Sequence, residues 1–210
     1  MQAVEVLAAT SVLVLAVGVL LARSPGASVT LYALAAVPQA VLAMVLAARG
    51  VPWLWLDAAA ILVVKGLWAP RLLRRAVPPD PRLYGQQSAF SPAILLCAVA
   101  VVTLLCLRVS GRIAGGAGGQ ALGLALAALL VGLSAAAVRS ELWAQAAGIL
   151  CGEAGLMTGI FVLAGGLPPV GETWALAEVL VLAAVLAVMA RRVHAHHGAA
   201  TSRLLRGLRG

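Results

Sequence analysis

Lys65, Glu153 and Glu178 lie well inside long apolar stretches of the sequence, and Asp57 lies near the end of one. An ionised side chain in the hydrocarbon of a bilayer costs about 2.5 to 3.5 kcal/mol on insertion scales, so such residues are rare and are functional candidates. A carboxyl group in these surroundings can exist in its neutral form and can therefore take up and release a proton. The residue types thus predict proton movement rather than covalent chemistry.

Patterns for other chemistry are missing from the sequence. Cys97, Cys106 and Cys151 form no Cys-x-x-Cys pair and have no histidine near them, so we interpret them as small core residues. We expect no catalytic residue, no metal and no cofactor, since there is neither a Ser/His/Asp set nor a metal-ligand spacing. The three histidines lie in a basic C-terminal tail, which we interpret as facing lipid or a partner in preference to binding a metal.

The composition predicts which secondary-structure elements position these charges. Of the 210 residues 63% are hydrophobic and 10% are charged, and the mean hydropathy is +1.05. Soluble domains carry about 25% charged residues, so that class is excluded. The apolar stretches approach the roughly 20 residues of a membrane-spanning helix and are rich in Ala and Leu, which favours helices over a barrel. We predict an all-α, polytopic transmembrane helix bundle that binds no nucleic acid.

Clusters of Arg, Pro and Gly divide the chain into seven predicted spans. Residues 1–75 carry spans 1–3, 76–91 form a cytoplasmic linker, 92–192 carry spans 4–7 and 193–210 form the tail. The Gly-rich stretch of residues 111–119 is predicted to be a flexible external connection. The predicted spans are Val4–Ala22, Val29–Ala48, Trp53–Pro70, Pro92–Leu107, Gln120–Val138, Trp143–Leu163 and Trp174–Ala190.

The basic residues predict the orientation of the bundle. With seven spans, 3 arginines fall on the side of the N-terminus and 11 on the opposite side. Because cytoplasmic loops carry the excess of basic residues, the N-terminus is predicted to lie outside and the C-terminus in the cytoplasm. The first apolar run has no basic residue before it, so we interpret it as a span and not as a cleaved signal peptide.

The depths of the charges follow from these boundaries. At 1.5 Å per residue, Lys65, Glu153 and Glu178 are expected about 9, 14 and 20 Å from the inner ends of their spans, as a staggered series. For two of these residues an interpretation without a function is open. Lys65 extends to the membrane interface as an anchor in the first, and Asp57 simply faces water in the second. Pro70 is expected to loosen the helix near Lys65.

Four glycines recur around Glu153 at spacings of four, three and four residues. They are Gly148, Gly152, Gly155 and Gly159. Such a face of bare backbone predicts close packing against a neighbouring helix, which would bury Glu153 between helices.

The order and spacing of these residues resemble hydrogenase-4 component E. The shared features are Lys65-x-x-x-x-Pro70 in the third span, Leu150-Cys-Gly-Glu153 in the sixth and, in the seventh, an acidic residue thirteen before Arg191. That family supplies membrane subunits to group 4 membrane-bound nickel-iron hydrogenases, including formate-hydrogenlyase-type complexes of prokaryotic inner membranes. Its last three helices, at residues 120–192 here, are in turn similar to the K subunit of complex I and the C subunit of Mrp-type antiporters.

The resemblance implies a proton-relay role for Glu153, Glu178 and Lys65. It also implies partners: antiporter-like and other membrane subunits, and a cytoplasmic arm that holds the redox centres. The sequence departs from the family at Ala154, where the family has Asn, and at Glu178, where it has Asp. If spans 1–3 are a degenerate copy of spans 5–7, Gln39 stands near the place of Glu153.

Two other functional classes are open. One is a stand-alone proton-coupled transporter, which should show a polar cavity at mid-membrane. The other is a purely structural membrane anchor, whose buried charges merely pair, as Lys65 with Glu153.

Overall fold

The computed structural model describes residues 2–76, 91–139, 142–166 and 168–197. Helices account for nearly all of these residues, and strands are absent from them. The predicted all-α class is confirmed. Part of the predicted linker and the end of the basic tail lie outside the described residues.

Six of the described helices are each long and apolar enough to cross a bilayer. Two of them, α2 and α5, begin at a serine that caps the helix followed by a proline. The six helices are α1 (Gln2–Leu21), α2 (Pro25–Ala47), α5 (Pro92–Ile113), α6 (Gly116–Val138), α7 (Leu142–Ala164) and α8 (Pro169–His197).

The third predicted span is helical but divided. It consists of α3 (Leu54–Val63), a π-helical segment (Val64–Trp68) and α4 (Ala69–Ala76), which follow one another without a break. Together they extend from residue 54 to 76, the length of a span. The bundle therefore has six undivided long helices and a seventh built from three pieces.

Two connections differ from the prediction. The Gly-rich stretch was expected to be a flexible loop, but α5 ends at Ile113 and α6 begins at Gly116, so the connection is two residues long. The prediction failed because glycines inside a membrane helix allow close packing and need not end it. The polar stretch that follows the third span also begins as helix, since α4 continues to Ala76.

The glycine face of α7 packs against α6, as the spacing predicted. A Cβ added to Gly155 would lie 2.5 Å from the backbone nitrogen of Leu129, and one added to Gly148 would lie 2.7 Å from that of Ala136. Such contacts are possible only where a side chain is absent. The α6–α7 pair forms the centre of the bundle, with α1 against both helices and α2 against α7.

Helices at corresponding places in the first and last thirds of the chain lie beside each other. The pairs are α1 with α6, α2 with α7, and α4 with α8. Ala9 of α1 clusters with Ala121 and Ala125 of α6, so this pair runs in the same direction. This arrangement is typical of two related three-helix units packed together; that their sequences are copies stays a prediction.

Candidate functional site

Lys65 and Glu153 form a salt bridge inside the bundle. The Lys65 ammonium nitrogen lies 2.9 Å from Oε1 of Glu153, and the lysine side chain is only 2% exposed. It also donates a hydrogen bond of 3.3 Å to Oε1 of Gln39 on α2. The amide nitrogen of Gln39 in turn donates to the carbonyl oxygen of Ala154, at 2.6 Å. We call these three side chains, Lys65, Glu153 and Gln39, the buried triad; Lys65 and Gln39 are buried, and Glu153 is partly buried, with its side chain 21% exposed.

The π-helical segment places Lys65 in the triad. Pro70 has no N–H group to bond to the carbonyl oxygen of Gly66, so the α-helical pattern is broken just before it. Within the segment the N–H of Ala69 bonds instead to the carbonyl oxygen of Val64, five residues back. Single π turns inside helices are frequent at functional sites. The predicted loosening near Pro70 thus takes a definite form.

The helix boundaries give the positions of the two charges along their helices. Lys65 and Glu153 each lie eleven residues from both ends of a 23-residue helical stretch, about 16 Å along the axis. The last part of the stretch that contains Lys65 carries the exposed Arg71, Arg74 and Arg75, so the end of the helix lies beyond its apolar part and the expected depth of Lys65 stays a prediction. The alternative of an interfacial anchor is contradicted by burial, because the Lys65 side chain is 2% exposed and its ammonium group bonds to Glu153 and Gln39.

Gln39 supplies the amide of the site. Its side-chain nitrogen donates to the carbonyl oxygen of Ala154, the residue after Glu153 on α7. Gln39 was only a secondary candidate because it carries no charge. It is fully buried, and it joins α2 to both α7 and the π segment.

Asp57 does not face water, contrary to the expectation. Its side chain is buried on the first turn of α3, with 6% exposure. The expectation assumed that a residue one turn from a helix end is solvated, whereas neighbouring helices cover this turn. Asp57 lies about two turns before Lys65 on the same helical stretch.

Glu178 lies apart from the triad, on the exposed side of α8. The part of α8 that could span a bilayer is Pro169–Met189, and Glu178 is near its middle. Its role in a relay stays a prediction. The Glu178 carboxyl group is directed away from the bundle, near the middle of the part of α8 that could span a bilayer.

Tyr32 is a polar residue of the site that sequence reasoning missed. It lies on α2 with 1% exposure, on the same helical face as Gln39, which follows seven residues later. Its hydroxyl oxygen has no hydrogen-bond partner among the described residues. A tyrosine in an apolar stretch is not conspicuous by its charge or its hydropathy. The only signal in the sequence was its spacing of seven residues from Gln39.

Fold and site together define a multi-pass membrane protein of the all-α class with an ion pair at mid-bundle. Among the described residues no group of His, Cys, Asp and Glu is arranged to hold a metal ion. Comparisons with protein-family models, with curated proteins and with solved structures find no match.

Proposed function

We propose that this protein is a non-catalytic membrane subunit of a redox-driven, proton-pumping complex of the hydrogenase-4 or formate hydrogenlyase type, in a prokaryotic inner membrane. The observation that carries the proposal is the buried triad at the middle of the spans. The resemblance in order and spacing supports the same class of complex. Proton movement is the subunit's contribution, and redox chemistry belongs to its partners.

The triad has two arrangements that differ by one proton. While Glu153 is ionised, the Lys65 ammonium group bridges its carboxylate and the amide oxygen of Gln39. When Glu153 is protonated, the attraction is lost and Gln39 still holds Lys65. A charge that moves nearby therefore changes the affinity of Glu153 for a proton, since opposite charge favours the ionised form. This is the coupling that a pump needs.

The outward position of Glu178 supports a complex rather than an isolated subunit. A carboxylate in contact with lipid at mid-span is costly, whereas a neighbouring helix with a basic or hydrogen-bonding side chain relieves that cost. α5 and α8 are also the least buried of the candidate spans, at 17% and 24%. Antiporter-like subunits are the proposed neighbours, and a cytoplasmic redox arm is the proposed electron-carrying partner.

A stand-alone transporter is less well supported. Such a protein needs a cavity at its ionisable residues. Two cavities of the described residues are lined mainly by apolar side chains of α5 and α6, and neither touches the triad. The structural-anchor alternative has the salt bridge in its favour, so substitutions of the triad must decide it.

Co-purification tests the proposal directly. The tagged chain is extracted from its native membranes in a mild detergent, and the proteins that elute with it are identified by mass spectrometry. We expect membrane subunits together with proteins that carry iron-sulfur clusters. Isolation as a lone chain with full ion-transport activity would overturn the proposal.

Glu178→Leu refines the same experiment. Loss of the carboxylate should release partner subunits, and the fraction retained should fall about tenfold, equivalent to about 1.4 kcal/mol of interface energy. Val181→Leu, on an exposed position of the same helix, is the matched control and should retain them. Equal retention by both variants would show that Glu178 does not contact a partner.

A further inference from the structure

A cavity between α5 and α6 lies apart from the buried triad, near the short connection of the two helices. Its volume is about 530 Å³, which is within the usual range of ligand sites. The lining residues are spaced so that they share one face of each helix. They include Leu104, Leu107, Arg108 and Gly111 of α5, and Gln120 and Leu124 of α6.

The lining of this cavity changes from apolar to polar toward the connection. α5 ends at Ile113 and α6 begins at Gly116, so the position of each lining residue follows from its distance to that end. At 1.5 Å per residue, the two leucines at positions 104 and 124 lie about 12 to 14 Å from the helix ends. Arg108 and Gln120 lie about 6 to 8 Å from them. The order of the lining matches an amphiphile with its chain deep and its head at the interface.

Arg108 brings a positive charge to the polar part of the cavity. Its guanidinium group forms no ion pair and no hydrogen bond with the described residues. Neither α5 nor α6 contains an Asp or a Glu. Guanidinium groups bind phosphate oxygens through two parallel hydrogen bonds, and the amide of Gln120 can donate another. The polar part of the cavity is therefore complementary to an anion such as a phosphate group.

The cavity is open to the bilayer at its polar part. A Cβ added to Gly111 would meet nothing within 4 Å, so there is free space beside the arginine. α5 is also the least buried of the candidate spans, at 17%. A lipid can therefore enter from the membrane without any movement of the helices.

We propose that this cavity binds one anionic phospholipid, with its phosphate group on Arg108 and Gln120 and an acyl chain against the leucines. The site is at the end of the bundle where α1 begins, because Ala9 of α1 clusters with Ala121 of α6. The predicted orientation assigns that end to the outer leaflet. The site involves no residue of the triad and does not depend on the proposed function.

Lipid binding to the full chain tests the proposal. The chain is purified in a mild detergent, with any subunits that accompany it, and is mixed with phosphatidylglycerol or phosphatidylcholine. Native mass spectrometry measures the fraction of chains that carry one lipid. We expect phosphatidylglycerol to bind about tenfold more tightly, equivalent to about 1.4 kcal/mol, because the choline group cancels the charge of the phosphate. Equal binding of the two lipids would overturn the proposal.

Arg108→Gln removes the charge from the cavity, and Arg112→Gln is the matched control. Arg112 is an exposed arginine four residues later on the same helix, and it does not line the cavity. The first variant should lose the preference for phosphatidylglycerol, and the second should keep it. Equal loss in both variants would overturn the proposal, since any basic residue at this helix end would then attract the lipid.

Gly111→Phe tests whether the lipid is seated in the cavity. The added ring fills the free space and keeps Arg108, so it should weaken the binding of phosphatidylglycerol. Unchanged binding would overturn the proposal and leave Arg108 as an interfacial anchor of α5. The occupant would instead be an acidic side chain of a partner if Arg108→Gln released subunits while the original chain bound both lipids equally. Because residues 108 and 111 are exposed, both variants should fold, and circular dichroism checks this.

Discussion

Lys65 stabilises the fold only while Glu153 stays its partner. Taking two charges out of water costs several kcal/mol each, and their attraction offsets this cost only with good geometry and further hydrogen bonds. The 2.9 Å contact meets the first condition, and the Gln39 amide oxygen meets the second for Lys65, whereas Oε2 of Glu153 has no hydrogen-bond partner among the described residues. A buried ion pair is by itself weak evidence that the pair stabilises the fold. Its presence here therefore agrees with a role that depends on charge.

Substitutions of the pair separate stability from function. Lys65→Met leaves the partly buried Glu153 carboxylate unpaired, and should lower the free energy of unfolding by about 3 kcal/mol, the low end of the range for a broken buried ion pair, because the carboxylate is 21% exposed. The double variant Lys65→Met, Glu153→Leu should recover most of this loss, because apolar residues fill the site. Unfolding in detergent monitored by circular dichroism measures both values.

The activity of the double variant then decides between the two readings of the salt bridge. If the pair is a relay, the stable double variant moves no protons. If it is only an anchor, the same variant retains full function, and that result would contradict the account.

The sequence predicted the important residues better than their contacts. Lys65 and Glu153 are identifiable because charge is conspicuous in apolar sequence, and the salt bridge confirms the pairing that the structural-anchor alternative predicted, although no periodicity displays the π turn beside it. Gln39 is uncharged, so its importance appears only when burial is known. Asp57 was misplaced because sequence cannot show which helices cover a helix end.

At the scale of the elements, close packing of α6 against α7 holds the site in place. The two helices approach each other closely because the glycines of α7 have no side chains between them. Glu153 lies two residues before Gly155, on the helix whose glycine face contacts α6. The spacing of the glycines predicted the contact, whereas helix ends were misplaced by several residues. Boundaries of membrane helices depend on caps and neighbours as well as on hydropathy, which explains the difference.

Gly155→Ala tests this packing. Its Cβ would meet backbone atoms of α6 at 2.5 Å, so the helices must separate, and overpacking of this kind typically costs about 1 to 3 kcal/mol. Gly111→Ala on α5 is the control, since its Cβ would meet nothing within 4 Å. Thermal unfolding should show a lower Tm for the first variant only. Equal Tm values would contradict the close contact.

At the scale of the molecule, the arginines predict how the bundle is oriented in the membrane. Orientation follows from the count of basic residues on the two faces of seven spans, and six undivided helices plus the divided third one preserve that count. Loss of the third span would reverse every later loop. The orientation thus depends on the stretch that contains Lys65.

A reporter fused after Gly210 measures the orientation. With seven spans and the 11 to 3 bias, a cytoplasmic reporter should be active and a periplasmic one silent. Activity of the periplasmic reporter would contradict the seven-span arrangement.

Proton translocation by Glu153→Gln tests the central claim most directly. Gln keeps the shape of the neutral acid and an oxygen that accepts from Lys65, but it cannot take up a proton. The co-purified complex is reconstituted into liposomes, and proton uptake is measured alongside the redox rate. We predict normal assembly with no coupled proton movement, and partial movement in Glu153→Asp. Normal pumping by Glu153→Gln would contradict the account and leave the structural anchor as the better explanation of the salt bridge.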